Sequence, residues 1–299
     1  MNVTVTGGTG FIGKQLVDSL VADDVEVHII GRRPRTGIAP HIRFSLWDAE
    51  SGEPSPESVG NADVVVHLAG EPVAQRWTPE VKRRIEVSRV EGARRLVAAL
   101  ANLPSRPSTL VAASAIGYYG SRGDEVLTED SAPGEGFLPE VCQRWETEMD
   151  RAAELGMRVV KLRLGIVLGR GGGALAQMLP AFKMMVGGQI GNGRQWMSWV
   201  HIDDVVRLIR FAIDTPRLRG AVNATAPNPV RNSQFTKLLA RTIRRPALFT
   251  VPEAGLRLLF GDMAGVMTAS QRVLPKAAQA AGYEFRWPEL GTALKDLLT

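Results

Sequence analysis

Short apolar runs alternate with longer segments of helical periodicity through the first two-thirds of the chain. Six runs have the composition of buried strands, at residues 3–6, 26–30, 42–48, 62–70, 109–114 and 158–168. Between some of them, apolar residues recur every three or four positions, notably at residues 79–100 and 137–155. This alternation, without a repeat of solenoid length, predicts an α/β fold with a doubly wound parallel sheet.

The first strand leads into a glycine-rich turn and an amphipathic helix. Gly8, Gly10 and Gly13 fit the dinucleotide-binding spacing, and Gly7 with the last two fits its shorter variant. These glycines provide a tight turn, room for the backbone to approach a diphosphate, and close packing of helix on strand. Helix amides and the positive end of the helix dipole then face the phosphates. We therefore expect a dinucleotide bound by Gly7, Thr9, Gly10, Phe11, Ile12 and Gly13.

The second predicted strand ends at Gly31 and is followed by Arg32, Arg33 and Pro34. Sites that prefer NAD usually carry an acidic residue here, about 20 residues after the glycines, to hold the ribose 2′-hydroxyl. A guanidinium instead matches the 2′-phosphate of NADP in charge and geometry. Arg32 and Arg33 therefore favour NADP(H), the alternative being that both are exposed loop residues.

Two further strand ends would border the same cofactor. Asp48 follows the third predicted strand, where its carboxylate would reach the adenine amino group or, equally, cap the next loop. The fourth strand ends in Leu68, Ala69 and Gly70, and small side chains are needed where a strand end passes beneath a cofactor. We expect all four residues at the cofactor site, with Asp48 open between its two roles.

The second half of the chain has a more mixed pattern. Residues 187–201 combine glycines, aromatic residues and polar groups, and a short strand at residues 220–225 follows a helix. Ser233 is the expected N-cap of a helix that extends through Ile243. The last ~50 residues predict short helices punctuated by glycine and proline.

The composition is that of a globular protein, with 299 residues, 44% hydrophobic and 22% charged. The single cysteine, Cys142, excludes an intrachain disulfide framework and fits a reducing compartment. No apolar run reaches the roughly 18 residues of a membrane span, and no signal peptide is visible, so a cytoplasmic protein is expected. The net charge of +5 is dispersed, without a basic helix that carries aromatic residues. Neither nucleic acid nor a membrane is therefore an expected partner.

The fifth predicted strand ends in residues that carry hydroxyl groups. Ser114 lies at its carboxyl end, and Tyr118 and Tyr119 follow shortly after. Open α/β sheets bind ligands at this edge. Ser114 would hydrogen-bond a substrate oxygen or cap its strand, and the tyrosines would exchange a proton with the substrate or line the pocket. All three are candidate catalytic residues.

The other candidate catalytic groups are scattered along the chain. Cys142 has little in its sequence neighbourhood to activate it, which favours an inert buried thiol over a nucleophile. Glu146 and His201 are candidate acid/base groups, although the alternative for His201 is to anchor the helix that follows it. No metal-ligand spacing is found among the four histidines, His28, His41, His67 and His201.

Three arginines and two tryptophans are candidates for substrate binding. Arg163, Arg194 and Arg272 would receive an anionic group such as a nucleotide-sugar diphosphate, or lie at the surface. Trp196 and Trp199 offer flat faces for stacking, with core packing the alternative.

Several of these motifs together resemble a known protein family. The glycine turn, the strand end at Gly70 and residues 199–204 are similar to an extended short-chain dehydrogenase/reductase. Residues 114–120, 196–199 and 270–275 narrow the resemblance to the atypical, YfcH-like and SulA-related branch of the NAD-dependent epimerase/dehydratase family. The resemblance covers nearly the whole chain. It implies a Rossmann-type fold, NADP(H), a cytosolic location and a substrate that is poorly established.

Members of that branch end in a small domain of unknown function. The resemblance therefore implies an NADP(H)-binding Rossmann domain at residues 1–249, with substrate-side segments at about 165–205 and 225–249. A small, mostly helical C-terminal domain would occupy residues 250–299.

The chain departs from the wider family in its catalytic residues. That family uses a serine or threonine, a tyrosine, and a lysine four residues after the tyrosine, whose charge lowers the pKa of the phenol. Ser114 matches the hydroxyl position, but no tyrosine of this chain has a lysine four residues later. On the expected helix, Leu138 stands at the position of the family's tyrosine and Cys142 at that of its lysine. Glu146 lies one turn further. The usual proton-transfer pair is missing.

The sequence thus predicts an NADP(H)-binding protein that exchanges hydride with a carbonyl or alcohol of a small molecule, neutral or anionic. Ser114 and either Tyr118 or Tyr119 would hold the reacting oxygen. The alternative is a catalytically silent NADP(H)-binding sensor or interaction module, since the usual pair is absent. A sugar-nucleotide epimerase would need a proton donor that the sequence does not reveal. The chain is expected to be a monomer or a homodimer.

Overall fold

The computed structural model describes residues 1–33, 39 and 42–299. Pro34, at the end of the predicted second strand, and His41 lie outside the described residues. The strands are β1 (Asn2–Thr6), β2 (Glu26–Gly31), β3 (Arg43–Leu46), β4 (Val64–His67), β5 (Thr109–Ala115), β6 (Val126–Leu127), β7 (Arg158–Leu164), β8 (Ile166–Gly169), β9 (Gly188–Ile190), β10 (Trp196–Met197), β11 (Trp199–His201), β12 (Gly220–Ala224), β13 (Val230–Arg231), β14 (Phe249–Val251) and β15 (Arg272–Val273). The helices are α1 (Phe11–Val21), α2 (Pro56–Val59), α3 (Pro79–Ala101), α4 (Phe137–Glu154), α5 (Gly173–Lys183), α6 (Ile202–Asp214), α7 (Asn232–Thr242), α8 (Glu253–Phe260), α9 (Ala264–Thr268), α10 (Lys276–Ala280) and α11 (Leu290–Leu298).

Seven strands form a central sheet in the order β12-β7-β5-β4-β1-β2-β3. Every neighbouring pair in it is parallel. The chain order reverses between β1 and β4, and doubly wound sheets bind ligands in the crevice at the carboxyl ends of such strands. The predicted fold class, a Rossmann-type sheet followed by a mostly helical C-terminal region, is confirmed.

Helices cover both faces of this sheet. Leu16 of α1 and Ile209 of α6 belong to the apolar cluster on one face. Leu96 of α3 and Met149 of α4 belong to the cluster on the other. Each fully buried side chain of this size stabilises the fold by roughly 1.5–3 kcal/mol, so the two layers fix the positions of the strand ends. No helix among the described residues is long and apolar enough to cross a membrane.

The sixth predicted strand is not continuous. It breaks at Gly165, so that β7 stays in the central sheet while β8 pairs with β11. A Cβ atom at Gly165 would lie 2.6 Å from the carbonyl oxygen of Ser198 and 2.8 Å from Thr225. A glycine is therefore required where the chain leaves the sheet, and the single run predicted for residues 158–168 was wrong in this respect.

The predicted cap at Ser233 was also wrong. Helix α7 begins at Asn232, with the extended residue Arg231 before it. The side chain of Gln234 accepts the backbone N–H of Arg231 at 2.9 Å. Ser233 therefore lies in the first turn of the helix. The cap interaction is made instead by Gln234, which is in the same turn and accepts the N–H of the residue before the helix.

The C-terminal segment is tied to the central part of the chain. Strand β15 pairs in parallel with β6. The side-chain amide of Gln271 donates to the carbonyl oxygens of Ile116, at 2.8 Å, and Gly120, at 3.0 Å. These two carbonyls bracket the 3₁₀ turn Ile116–Tyr119 that follows β5. The C-terminal segment therefore holds the turn at the tip of β5.

A second tie runs through Asp204, whose side chain is fully buried at the start of α6. Its carboxylate accepts the backbone N–H groups of Arg286, at 2.8 Å, and Trp287, at 2.9 Å. The hydroxyl of Tyr283 also donates to it, at 3.2 Å. Among the described residues, the side chain of its neighbour Asp203 forms an ion pair with the exposed Arg286, at 3.2 Å.

We expect Asp204→Ala to destabilise the protein by about 3 kcal/mol or more, because it strands buried donors without an acceptor. Asp203→Ala is the matched control and is expected to cost less than about 1 kcal/mol, the usual range for an exposed pair. Urea unfolding followed by circular dichroism measures both. Similar losses for the two variants would contradict the role given to Asp204.

Candidate functional site

The glycine turn between β1 and α1 is packed against the end of β4. Gly7 has a φ of +70°, which disfavours residues that carry a Cβ. A Cβ atom there would also lie 2.8 Å from the backbone nitrogen of Ala69. A Cβ atom on Gly13 would overlap the carbonyl oxygen of Gly7. The turn is therefore shaped by backbone alone, and it leaves a cradle that side chains would fill.

The start of α1 suits an anion. Its N-cap is Gly10, and its first turn contains no acidic residue. The first N–H groups of a helix have no partner within the helix, and the dipole adds partial positive charge there. The backbones of Phe11 and Ile12 contribute to this end, while the ring of Phe11 packs against Gly172 of the loop after β8. A diphosphate fits this donor set and the cradle beside it.

The end of β4 is held beneath the cradle. The N–H of Leu68 donates to the carbonyl oxygen of Thr6, and the N–H of Ala69 lies 3.3 Å from the Thr6 hydroxyl. The same hydroxyl lies 2.6 Å from Nδ1 of His67, whose side chain is fully buried. Burial, with a smaller contribution from the charge of Arg89, lowers the pKa of His67 to about 4. A neutral imidazole thus supports the floor of the site.

Arg32 follows β2, on the other side of the cradle. Its side chain is 57% exposed, and Nη1 lies 3.4 Å from Oε2 of Glu71. Nε of Arg84, from α3, lies 3.6 Å from the other oxygen of the same carboxylate. Arg33 is exposed and makes no ion pair with a described residue. Glu71 therefore holds two guanidinium groups near one point, with Arg32 still open to solvent.

Asp48 and Thr9 occupy the remaining predicted positions at the cofactor site. A carboxylate oxygen of Asp48 accepts the backbone N–H of Glu50 at 2.9 Å, so Asp48 caps its own loop. Of the two roles left open by the sequence, the structure shows this one. Thr9 lies next to Gly31, with its hydroxyl 3.9 Å from where a Cβ of that glycine would stand.

A buried ionic cluster lies at the tips of β5 and β7. The hydroxyl of Ser114 donates to Oε1 of Glu146 at 2.6 Å. Both oxygens of that carboxylate accept from the guanidinium of Arg163, each at 2.8 Å. All three residues are almost fully buried. Arg163 is therefore neither a surface residue nor a free anion receptor, which corrects the two alternatives drawn from the sequence.

Tyr119 is built into the same cluster. Its side chain is fully buried, its hydroxyl donates to Asn223 at 2.7 Å, and it accepts from Arg163 at 2.9 Å. Burial raises the pKa of Tyr119 to about 12, in spite of the nearby guanidinium. A sealed phenol with a raised pKa is unsuited to proton exchange with a ligand. Tyr119 is therefore held by structural hydrogen bonds in this structure, and its catalytic role stays a prediction.

Tyr118 has a different environment from its neighbour. The guanidinium carbon of Arg163 lies 3.5 Å from the centre of its ring. The side chain is only partly buried, and its hydroxyl forms no hydrogen bond with a described residue. Of the two tyrosines, Tyr118 is the one whose hydroxyl is free to meet a ligand.

Three other candidates prove to be structural groups. Cys142 is buried against Gly117, and burial raises the pKa of its thiol to about 12, which argues against a nucleophile. Nδ1 of His201 accepts the backbone N–H of Asp203 at 3.0 Å and so caps α6. Burial lowers the pKa of His201. Trp199 is fully buried. No group of metal-ligating side chains occurs in the described part of the chain.

A cationic surface lies around Trp196. The guanidinium carbons of Arg231 and Arg272 lie 4.2 Å and 4.6 Å from the centre of its ring. Arg231 is neutralised by Asp124, at 2.7 Å. Arg272, partly buried, and Arg194, exposed, make no ion pair with a described residue.

Two residues at the cleft, Glu71 and Arg89, were not predicted from the sequence. The guanidinium carbon of Arg89 lies 3.4 Å from where a Cβ of Gly70 would stand. Six basic residues fall between Lys82 and Arg95 on α3, so nothing in the local pattern distinguishes Arg89 from its exposed neighbours. Glu71 had a weak signal, since it directly follows a predicted strand end.

Comparisons with known proteins agree with this architecture. The model of the NAD dependent epimerase/dehydratase family matches residues 3–224, and that of a domain of unknown function, DUF1731, matches residues 251–297. The chain is 40% identical to the epimerase family protein SDR39U1 homolog, chloroplastic, of Arabidopsis thaliana, over 100% of this chain and 87% of that protein. It is 38% identical to the epimerase family protein YfhF of Bacillus subtilis, over 100% and 98%.

A crystal structure of human epimerase family protein SDR39U1 with NADPH superposes with a TM-score of 0.88. That chain is 33% identical, and the match covers 100% of this chain and 99% of the human one. The family model spans most of the sequence, and the relatives match over nearly their full length. This chain therefore belongs to the NAD dependent epimerase/dehydratase family, as an extended short-chain dehydrogenase/reductase-like member with a C-terminal DUF1731 segment.

Proposed function

We propose that this protein binds NADP(H) and exchanges hydride between the nicotinamide and a carbonyl or alcohol of a small molecule. The observation that carries the proposal is the backbone cradle formed by Gly7 and Gly13 at the start of α1. It supplies donors and space for a diphosphate at the switch point of the sheet. The NADPH in the human relative's structure supports the same assignment.

The proposed preference for NADP(H) rests on Arg32. Its side chain is exposed beyond β2, where the adenosine ribose would lie, and Glu71 holds it by one weak contact at 3.4 Å. A 2′-phosphate offers three acceptor oxygens and more negative charge than a carboxylate, so it is the stronger partner for the guanidinium. Arg84, which shares Glu71, is a second cation within reach of the same point.

The reacting oxygen of the substrate is proposed to meet Tyr118. Its hydroxyl makes no hydrogen bond with a described residue, and its ring lies against Arg163 of the buried ionic cluster. Ser114 is committed to Glu146, so its proposed part is to position groups at that tip. Arg272 and Arg194 make no ion pair with any residue that the structure describes, and both suit an anionic substrate. The silent-sensor alternative has only the missing tyrosine–lysine pair in its favour.

The division into an NADP(H)-binding domain at residues 1–249 and a C-terminal domain at residues 250–299 also stays a proposal. Under it, the C-terminal domain contributes to the substrate side, because Gln271 braces the turn that carries Tyr118.

Gly13→Ala is expected to weaken NADPH binding at least tenfold, because the added methyl group pushes the start of α1 away from the turn. Gly265→Ala is the matched control, since a Cβ at Gly265 in α9 meets open space. That variant should bind NADPH normally. Isothermal titration calorimetry measures the affinities, and circular dichroism checks the fold. Unchanged affinity in Gly13→Ala would remove the cradle from the proposal.

Arg32→Ala is expected to weaken NADPH binding about 10- to 100-fold, the value of a charge-assisted contact, and to change NADH binding little. Arg106→Ala, at an exposed site on the loop after α3, is the control and should affect neither cofactor. Titration of intrinsic fluorescence with both cofactors measures the difference. An equal loss for NADPH and NADH would mean that Arg32 does not contact the 2′-phosphate.

Tyr118→Phe is expected to lower turnover about 100-fold or more while leaving the dissociation constant of NADPH unchanged, because only the exchangeable proton is lost. The assay follows NADPH absorbance with a panel of aldehydes, ketones and nucleotide-linked sugars. Full turnover by Tyr118→Phe would exclude this residue as the proton donor. A panel in which the wild-type protein consumes no NADPH would favour the silent alternative.

A further inference from the structure

Large apolar side chains are exposed mainly in one region of the protein, and a concentration of this kind marks an interaction surface. Of the ten that the described residues expose, seven lie in residues 184–186 and 248–259. The two segments are neighbours, because β9 and β14 pair in parallel with Gly188 opposite Phe249. Helix α8 starts beside them, since a Cβ atom on Gly191 would lie 2.8 Å from Oε1 of Glu253. The region, here called the apolar surface, consists of residues 184–186 with Leu248 and Phe249, extended by Leu258 and Leu259 of α8.

Met185 stands at a backbone position that favours glycine. Helix α5 ends at Lys183, and Met185 has a φ of +63°, the left-handed conformation that usually closes a helix on glycine. The N–H of Val186 donates to the carbonyl oxygen of Ala181 at 3.0 Å, which completes this closure. A long side chain is strained there, and this one is also exposed to water. Since glycine or asparagine would avoid both costs, stability of the fold gives no reason for a methionine here.

Basic residues accompany the apolar surface in the same two segments. Residues 183–190 and 241–259 contain five basic residues and a single acidic one, Glu253. All five basic side chains are exposed, and none forms an ion pair with a residue that the structure describes. Arg244, directly after the C-cap of α7, also has a left-handed backbone, with a φ of +54°. The five are Lys183, Arg241, Arg244, Arg245 and Arg257, and their excess of positive charge favours an anionic partner.

The charges and the apolar residues together decide which partner fits. A second copy of the chain would bring the same unpaired cations into the interface, and like charges facing each other are unfavourable. The surface of an anionic membrane offers phosphates to the basic side chains and, just beneath them, acyl chains to the apolar ones. The apolar residues suit that depth, because Met184, Met185 and Val186 lie in the turn between α5 and β9, and Leu248 directly precedes β14.

We propose that this face of the protein binds the surface of a membrane that is rich in anionic lipids. The apolar surface enters the headgroup layer, and the five basic side chains lie against lipid phosphates, so the protein lies on the bilayer. A membrane was not an expected partner from the sequence, because the basic residues are dispersed along it. Pairing of β9 with β14 brings two of the dispersed groups together. The inference does not depend on the proposed function.

The test measures binding of the full-length protein to lipid vesicles by cosedimentation. One set of vesicles is phosphatidylcholine alone, and the other contains about 40 mol% phosphatidylglycerol, which supplies the negative surface potential. The wild type is expected to bind the anionic vesicles about tenfold or more tightly than the neutral ones. Added salt is expected to weaken this binding, because it screens the exposed cations.

The first variants remove apolar contacts. Met184→Gln combined with Met185→Asn is expected to weaken binding to the anionic vesicles about tenfold or more, since apolar area no longer enters the bilayer. This variant should fold, because asparagine tolerates the left-handed backbone at position 185. Leu248→Gln, at a side chain that is 85% exposed, should weaken binding in the same direction without unfolding the protein. Leu46→Gln, at an exposed leucine of β3, is the matched control and should bind like the wild type.

The second pair of variants removes charge. Arg244→Asn combined with Arg245→Gln is expected to weaken binding to the anionic vesicles about tenfold or more and to reduce its dependence on salt. Arg106→Gln combined with Arg219→Gln removes two exposed cations elsewhere and should change neither quantity. Circular dichroism checks the fold of every variant, and sedimentation velocity without vesicles measures the oligomeric state of the wild type.

Each result supports or overturns the inference. It is supported if the wild type prefers anionic vesicles and both kinds of variant, but neither control, lose binding. Wild-type affinity in the Met184/Met185 and Leu248 variants, or equal binding of the wild type to both kinds of vesicle, overturns it. A wild type that binds no vesicles also overturns it. In that case a dimer that Met185→Asn dissociates identifies a second copy as the partner, and a monomer points to an acidic protein instead.

Discussion

The contact between the glycine turn and the end of β4 sets the shape of the whole cleft. Because Gly7 carries no side chain, its backbone can lie close to that of Ala69 at the end of β4. The hydroxyl of Thr6 then contacts both the N–H of Ala69 and the buried ring of His67. Gly13 lets α1 start directly above this layer. The first amides of α1 therefore face a space that is lined by backbone. The charged side chains of Arg32 and Glu71 lie beside that space.

Beside this floor, helix α4 carries apolar groups at the two positions where the family resemblance implies a tyrosine and a lysine. Leu138 and Cys142 pack against Gly117 and make that part of α4 apolar. One turn further along α4, the carboxylate of Glu146 accepts hydrogen bonds from Ser114 and Arg163. A buried pair of this kind is weak evidence for stability, but its two parallel hydrogen bonds fix the relative position of Glu146 and Arg163. Close to this cluster, the hydroxyl of Tyr118 makes no hydrogen bond within the described part of the chain.

The alternation of strands and helices could be predicted from the sequence because each element has its own local spacing of apolar residues. The break at Gly165 could not be predicted, because it depends on close contacts with Ser198 and Thr225, which are distant in sequence. The same holds for Tyr119 and Arg163, whose burial depends on Asn223 and Glu146. In sequence, Arg89 cannot be distinguished from the other basic residues of α3, because its position at the cleft depends on Gly70 and Trp145. The cofactor residues and the domain division stay predictions, because they concern a ligand and a boundary rather than a periodicity.

The two hydrogen bonds of Gln271 couple the C-terminal segment to the turn that carries Tyr118. One amide from the last part of the chain spans two carbonyl oxygens on either side of Tyr118 and Tyr119. Loss of the segment that matches DUF1731 would remove these two hydrogen bonds, so the position of the turn is expected to depend on that segment. Evolution of a new substrate in this lineage is expected to change both regions in concert.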